Sequence, residues 1–190
     1  MSKLKDYDLY FIHIPKNAGS SFEKQFCDGH KGHHMITKFD KKCWPKTVAI
    51  VRNPYHRMVS IYNYAKMDKS YWHSKDNSTE YKIHPMYNYC KNNTFDQFIK
   101  DTCTTNKFNK IKHLFPQYKW VITPDNKIIT KIVKLESLNQ DLSEVLGNKI
   151  ELIKINSSNT KDYDSMYDDS LKELVYNKYK LDFELFGYYK

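Results

Sequence analysis

The chain is nearly without arginine. Of its 31 basic side chains only Arg52 and Arg57 are arginines, and the rest are lysines. Heavy use of lysine, asparagine, isoleucine and tyrosine is the mark of an AT-rich genome, which puts lysine wherever lysine serves. A planar guanidinium grips a phosphate or carboxylate through two parallel hydrogen bonds, which an ammonium cannot copy. Two arginines kept in one short segment therefore mark a geometric task there. Long apolar runs are missing too. None approaches the ~20 residues of a membrane-spanning helix. Residues 1–6 lack the apolar core of a signal peptide, so a cytoplasmic location is expected. No cysteine stands in a C-x-x-C pair, and no cysteine–histidine group has zinc spacing. Cys27, Cys43, Cys90 and Cys103 are expected as reduced thiols, and no metal is expected. Net charge is +9, yet the surplus forms no block of like charges. It reads as a solvated basic surface, and no nucleic-acid partner is expected.

With 190 residues, 28% of them charged and 40% hydrophobic, the chain suits one globular domain with a real core. No internal repeat or low-complexity linker divides it. Apolar patterning predicts strands at 7–14, 47–52, 119–123, 127–135 and 150–155. Helices are predicted from Ser20, from Pro54, after a Thr94 cap, over 137–146 up to Gly147, and over 165–180. Pro124-Asp125-Asn126 reads as a turn between two strands. Strands alternating with helices argue for an α/β domain of three layers with a mainly parallel central sheet. Residues 68–93 are polar and aromatic, and read as a surface insertion in a single domain over 1–190.

Two loops carry the chemistry. The first follows the opening strand and holds Lys16, Gly19, Ser20 and Ser21 at a helix start. Backbone N–H groups, the helix dipole and the lysine all point positive charge at one place, which suits a phosphate. A Walker A loop puts its lysine directly after the last glycine. Here Lys16 precedes Gly19 by three residues and no G-K-[ST] occurs, so an ATPase or GTPase loop is excluded. Gly19 is expected to allow close backbone approach, and Pro15 to stiffen the entry. An ordinary strand–helix turn with a serine cap is the plainer reading. The second loop puts Arg52 at a strand end and Ser60 two turns into the next helix. Ligands of α/β sheets bind beyond the carboxyl ends of the strands. Lys16 and Arg52 are thus expected to face one crevice that holds two separated anionic groups.

The segment His13-Ile-Pro-Lys-Asn-Ala-Gly-Ser-Ser-Phe22 resembles the 5′-phosphosulfate loop of the sulfotransferases. Arg52-Asn-Pro-x-x-Arg-x-x-Ser60 resembles their 3′-phosphate motif. The chain is most similar to the carbohydrate branch that includes heparan sulfate 2-O-sulfotransferase. The likeness continues through His113-x-x-Pro116-Gln117, Val133-Lys-Leu-Glu136 with Asp141, Asn156 with Ser158, and Asp182-Phe-x-x-Phe-Gly-Tyr188. This resemblance implies a P-loop-NTPase-like sulfotransferase fold and 3′-phosphoadenosine 5′-phosphosulfate as donor. It implies that Lys16, Asn17, Ala18, Gly19, Ser20 and Ser21 hold the 5′-phosphosulfate, and that Arg52 and Ser60 hold the 3′-phosphate. Lys161 is a further match for the donor.

For catalysis the resemblance gives Lys16 to the leaving phosphate and His33 to the acceptor proton, with His34 the alternative by a shift of one residue. It implies a saccharide or another hydroxyl compound as acceptor. Arg57 serves either the 3′-phosphate or an ion pair, with Glu136 as candidate partner. His113 is expected to line the acceptor pocket or brace the base, and His13 to orient the loop. His30, His56, His73 and His84 are read as structural or merely exposed. Tyr64, Tyr71, Trp72, Tyr81, Tyr87 and Tyr89 form either a sugar-stacking platform or a satellite core. Two rival readings stand beside the enzyme: a nucleotide or small-molecule kinase, and a non-catalytic module for anions or RNA.

Overall fold

The computed structural model describes residues 1–68, 84–152 and 163–190. In chain order its elements are β1 (Ser2–Lys3), β2 (Tyr10–Ile12), α1 (Gly19–Phe26), β3 (Thr47–Val51), α2 (Pro54–Ala65), α3 (Tyr87–Asn92), α4 (Phe95–Thr104), α5 (Tyr118–Val121), β4 (Lys131–Lys134), α6 (Leu138–Leu146) and α7 (Asp169–Phe186). They fall into two compact units. The first comprises Met1–Asn53, Phe115–Ser157 and Leu181–Lys190; the second comprises Pro54–Leu114 and Ser158–Lys180.

The first unit is α/β. Its sheet has the order β1-β2-β3-β4, with β1 antiparallel to β2 and the other pairs parallel. Every residue of β3, Thr-Val-Ala-Ile-Val, is buried, as a central parallel strand with both faces covered must be. The two-residue period of the strands then sorts side chains into two cores. Phe11, Val48, Ile50 and Val133 pack with Phe22 of α1 and with Leu142 and Leu146 of α6. Ile12, Ala49 and Val51 pack with Ile14, Trp44, Trp120, Val121 and Phe186. The second unit is helical. In it α2 packs on α3 and α4, with Tyr62 meeting Phe95 and Phe98 at ring separations of 5.5 Å.

Local punctuation falls where the sequence places it. Thr94 Oγ1 caps α4 through the Gln97 N–H at 3.3 Å. Pro54 opens α2, and Gly147 ends α6 with a left-handed φ of 75°. The strand expected at 119–123 is instead the short helix α5. Its cause is remote: the Asp182 carboxylate accepts the N–H groups of Gln117 and Tyr118, both at 2.8 Å, and so caps a helix start. The turn after it forms, with the Thr123 N–H donating to the Lys127 carbonyl at 2.9 Å. The strands beside it shrink to one bridge, Ile122 with Ile128, and to β4. The opening strand is only Tyr10–Ile12. Residues 150–152 are not strand, and the rest of that expected element lies outside the described residues. The last helix begins later than expected and runs on to Phe186, with non-helical dihedrals at Tyr179.

The four cysteines are free. No described helix is long and apolar enough to cross a membrane. Of the aromatic platform, Tyr71, Trp72 and Tyr81 lie outside the described residues. Tyr89 packs edge-on to Phe108 at 4.9 Å and donates its hydroxyl to Asp101 at 2.9 Å. Tyr87 donates to Asp68 at 2.5 Å.

Candidate active site

The site is built on the first unit, where β2 runs into α1. Two residues of the connecting loop, Lys16 and Ala18, have left-handed backbones, with φ of 70° and 59°. Such conformations cost non-glycine residues about 1–3 kcal/mol each and persist only where their surroundings hold them. Asn17 supplies that hold. Its buried side-chain amide donates to the Ile50 carbonyl at 2.8 Å and to Gln117 Oε1 at 2.7 Å. Its Oδ1 is buried with no hydrogen-bond partner among the described residues. Helix α1 has Ala18 as its N-cap and no side chain capping it. A serine cap is therefore not what starts this helix. Ser20 is exposed and Ser21 buried.

Gln117 also grips Arg52. Its Oε1 accepts the Arg52 N–H at 2.9 Å, and its Nε2 donates to the Arg52 carbonyl at 2.8 Å. One amide thus ties the Lys16 loop to the residue that follows β3, and the Asp182 carboxylate secures Gln117 in turn. The result sets Lys16 and Arg52 beyond the carboxyl ends of adjacent parallel strands. They are close enough to feel each other. Burial, and then the charge of Arg52, pushes the Lys16 ammonium down to about 7. Arg52 itself is buried. Two cations partly withdrawn from water beside an uncapped helix start make a site that an anion relieves.

Behind the loop lies a group of histidines around one carboxylate. Glu23 of α1 is buried and its Oε2 accepts from His13 Nδ1 at 2.8 Å and from His30 Nδ1 at 2.5 Å. Its Oε1 accepts from Ser2 Oγ at 2.6 Å. Burial alone would raise this carboxyl. The hydrogen bonds from His13, Ser2 and His30, with the charge of His13, bring it down to about 2. His13 fills the space over Gly19: a Cβ there would lie 2.2 Å from His13 Cδ2. The glycine expected for close approach of a ligand is thus required by the imidazole.

His33 Nδ1 is 2.9 Å from the His13 carbonyl. A carbonyl only accepts, so this bond puts the proton on Nδ1 and the lone pair on Nε2. Burial, and next the neighbouring His13, pushes His33 down to about 4. His33 therefore stands neutral at physiological pH, in contact with the strand that carries the cradle. His34 is exposed, with its ring 5.9 Å from Phe39.

The remaining expected residues are distributed as follows. Ser60 and Arg57 are buried on α2, in the second unit. Arg57 Nη2 donates to the His113 carbonyl at 2.8 Å, and His113 Nδ1 lies 3.0 Å from His84 Nε2. Glu136 accepts from the Asn53 N–H at 2.8 Å and from the Tyr188 hydroxyl at 2.9 Å. Lys161 lies outside the described residues. Sequence reasoning missed the clamp by Gln117 and Asp182 and the grouping of His13, Glu23 and His30. Both clamp residues stand in segments that carry the resemblance, His113-x-x-Pro116-Gln117 and Asp182-Phe-x-x-Phe-Gly-Tyr188, and that was the signal for them.

Chemically, the arrangement sets two cations, Lys16 and Arg52, beyond neighbouring strand ends and holds a neutral imidazole at His33. No curated protein and no solved structure matches the chain. The family model for the sulfotransferase family matches residues 4–189, and the chain accordingly belongs to that family.

Proposed function

We propose that the protein moves a sulfuryl group from 3′-phosphoadenosine 5′-phosphosulfate to a hydroxyl, with a carbohydrate as the acceptor class. The observation that carries this reading is the pairing of Lys16 and Arg52 at neighbouring strand ends, with burial and then the Arg52 charge depressing the Lys16 ammonium. A ligand with anionic groups at both ends of an adenosine suits two such cations. The donor fits the residues present: α1 has no side-chain cap and its first turn carries no acid. Residues 1–190 are read as one catalytic domain on a P-loop-NTPase-like frame. The loop from Lys16 to Ser21 would hold the 5′-phosphosulfate and Arg52 the 3′-phosphate, and the family motif adds Ser60.

When bound, the donor supplies an electrophilic sulfur and a phosphate leaving group. Lys16 places a positive charge where negative charge grows, which is worth most where water is excluded. His33 offers Nε2 to the acceptor hydroxyl and takes its proton. The His13 carbonyl holds His33 in the tautomer this needs and steadies the imidazolium that forms, because Nδ1–H stays donated. His33 is preferred to His34 because His34 has no such fixed tautomer among its described contacts.

Calorimetry with adenosine 3′,5′-bisphosphate tests the donor site, and absence of binding would sink the reading. A radiolabelled sulfate donor, offered saccharide, protein-tyrosine and small-phenol acceptors, tests the acceptor class. Label entering only phenols would remove the carbohydrate assignment. Magnesium-dependent ATP turnover would revive the kinase, and RNA binding that survives Lys16→Ala would favour the binding module.

A further inference from the structure

We propose that His13, His30 and His33 form a binding site for a divalent transition metal of the zinc class, and that metal held there switches off transfer. The second half rests on the reading of His33 as base. One ring nitrogen of each histidine lies within 4.8 Å of one from each of the others. The rings meet at steep angles, 80°, 65° and 71°, with centroids 5.3, 4.2 and 5.6 Å apart. They are edge-on neighbours around a common region, not a stack.

The hydrogen bonding behind them is that of metal ligands. Histidines that bind metals almost always donate the other ring N–H to a carboxylate or a main-chain carbonyl. All three rings do so here. His13 and His30 give Nδ1–H to Glu23, and His33 gives Nδ1–H to the His13 carbonyl. Nε2 then carries the lone pair of each ring, that of His13 lying beside Gly19. Glu23 also puts a buried negative charge beside the site.

Zinc–nitrogen bonds of ~2.1 Å in a tetrahedron put donor atoms about 3.4 Å apart. A small closure from the observed spacing suffices. His30 can supply it, being exposed and outside any helix or strand. Three protein ligands leave a fourth position for water. An all-imidazole set selects zinc, copper, nickel or cobalt over magnesium or calcium. The lone pair of His33 cannot serve a metal and a proton together, so occupancy removes the base.

The test uses the whole chain without a polyhistidine tag. Cobalt(II) is added and its visible ligand-field spectrum recorded; zinc is then titrated by calorimetry, with magnesium as the control. One equivalent of cobalt with a tetrahedral spectrum, displaced by zinc and not by magnesium, is expected. His30→Ala should weaken zinc binding by roughly tenfold or more, and Glu23→Gln by roughly 10–100-fold. No cobalt spectrum, or zinc affinity unchanged in both variants because the free thiols bind it, overturns the site. Zinc that binds without suppressing transfer, or suppression that a chelator does not relieve, overturns the switch. Adenosine 3′,5′-bisphosphate binding is measured on the same samples. Zinc binding without bisphosphate binding keeps the metal site and removes the sulfotransferase donor site; the converse keeps the enzyme and removes the metal site.

Discussion

In the first unit, His13 and His30 give their Nδ1 protons to Glu23, and His33 gives its own to the His13 carbonyl. In the second unit the wiring runs the other way. His84 Nδ1 accepts the Met86 N–H at 3.2 Å, so its proton sits on Nε2 and is donated to His113 Nδ1 at 3.0 Å. Those two rings are stacked, with planes 16° apart. A backbone donor thus fixes one histidine and that histidine fixes the next. Around Glu23 the acceptors take the Nδ1 protons, so the lone pairs are on Nε2. The same residue type is wired oppositely in the two places, because a carboxylate and a carbonyl stand where the second pair has an N–H.

The comparison can be broken most severely at His33. His33→Ala should lower transfer by roughly 10²–10⁴-fold while adenosine 3′,5′-bisphosphate affinity is retained, read by kcat beside calorimetry. An equal loss in His34→Ala with none in His33→Ala would assign the base to the neighbour. Lys16→Ala should cost roughly 10²–10³-fold in kcat and weaken the bisphosphate as well. Gly19→Ala forces a methyl group into the His13 ring. About 1–3 kcal/mol of stability should go with it, seen as a lower denaturant midpoint. A neutral result there would mean that His13 is not held as described.

A smaller effect comes from pH. In the unliganded protein burial, and then Arg52, holds the Lys16 ammonium down at about 7, and a bound anion raises that value. Above about pH 7 binding must therefore take up a proton, and affinity falls by up to about tenfold per pH unit. Below it Lys16 is already charged and contributes no slope. Calorimetry in buffers of different ionisation enthalpy measures the uptake directly, and Lys16→Met should abolish it. Smallest is His84→Ala, which leaves the Met86 N–H unpaired and should cost about 1 kcal/mol of stability. A loss of transfer larger than that of His33→Ala would turn the comparison round.

Much of this was legible locally. The loop at Lys16, the strand end at Arg52, Pro54 at the start of α2, Thr94 as a cap and Gly147 as a stop all depend on neighbours a few residues away. What escaped depends on partners far along the chain. Residues 118–121 are β-compatible by composition, yet Asp182 caps them into a helix. His30 reads as an exposed histidine until α1 sets Glu23 beside it. Gly19 was legible as necessary, but the reason for it lies on β2, in a ring that needs the space.

Gln117 has one further consequence. Its amide has a carbonyl end against the Asn17 amide and the Arg52 N–H, and an amino end against the Arg52 carbonyl. Turned over, it would set donor against donor and acceptor against acceptor. Glutamate, the same shape with one atom changed, would fail at the amino end. The gauge between the two cationic strand ends is therefore kept by a side chain belonging to neither strand. A change in the separation of Lys16 and Arg52 would begin at residue 117, without touching either residue.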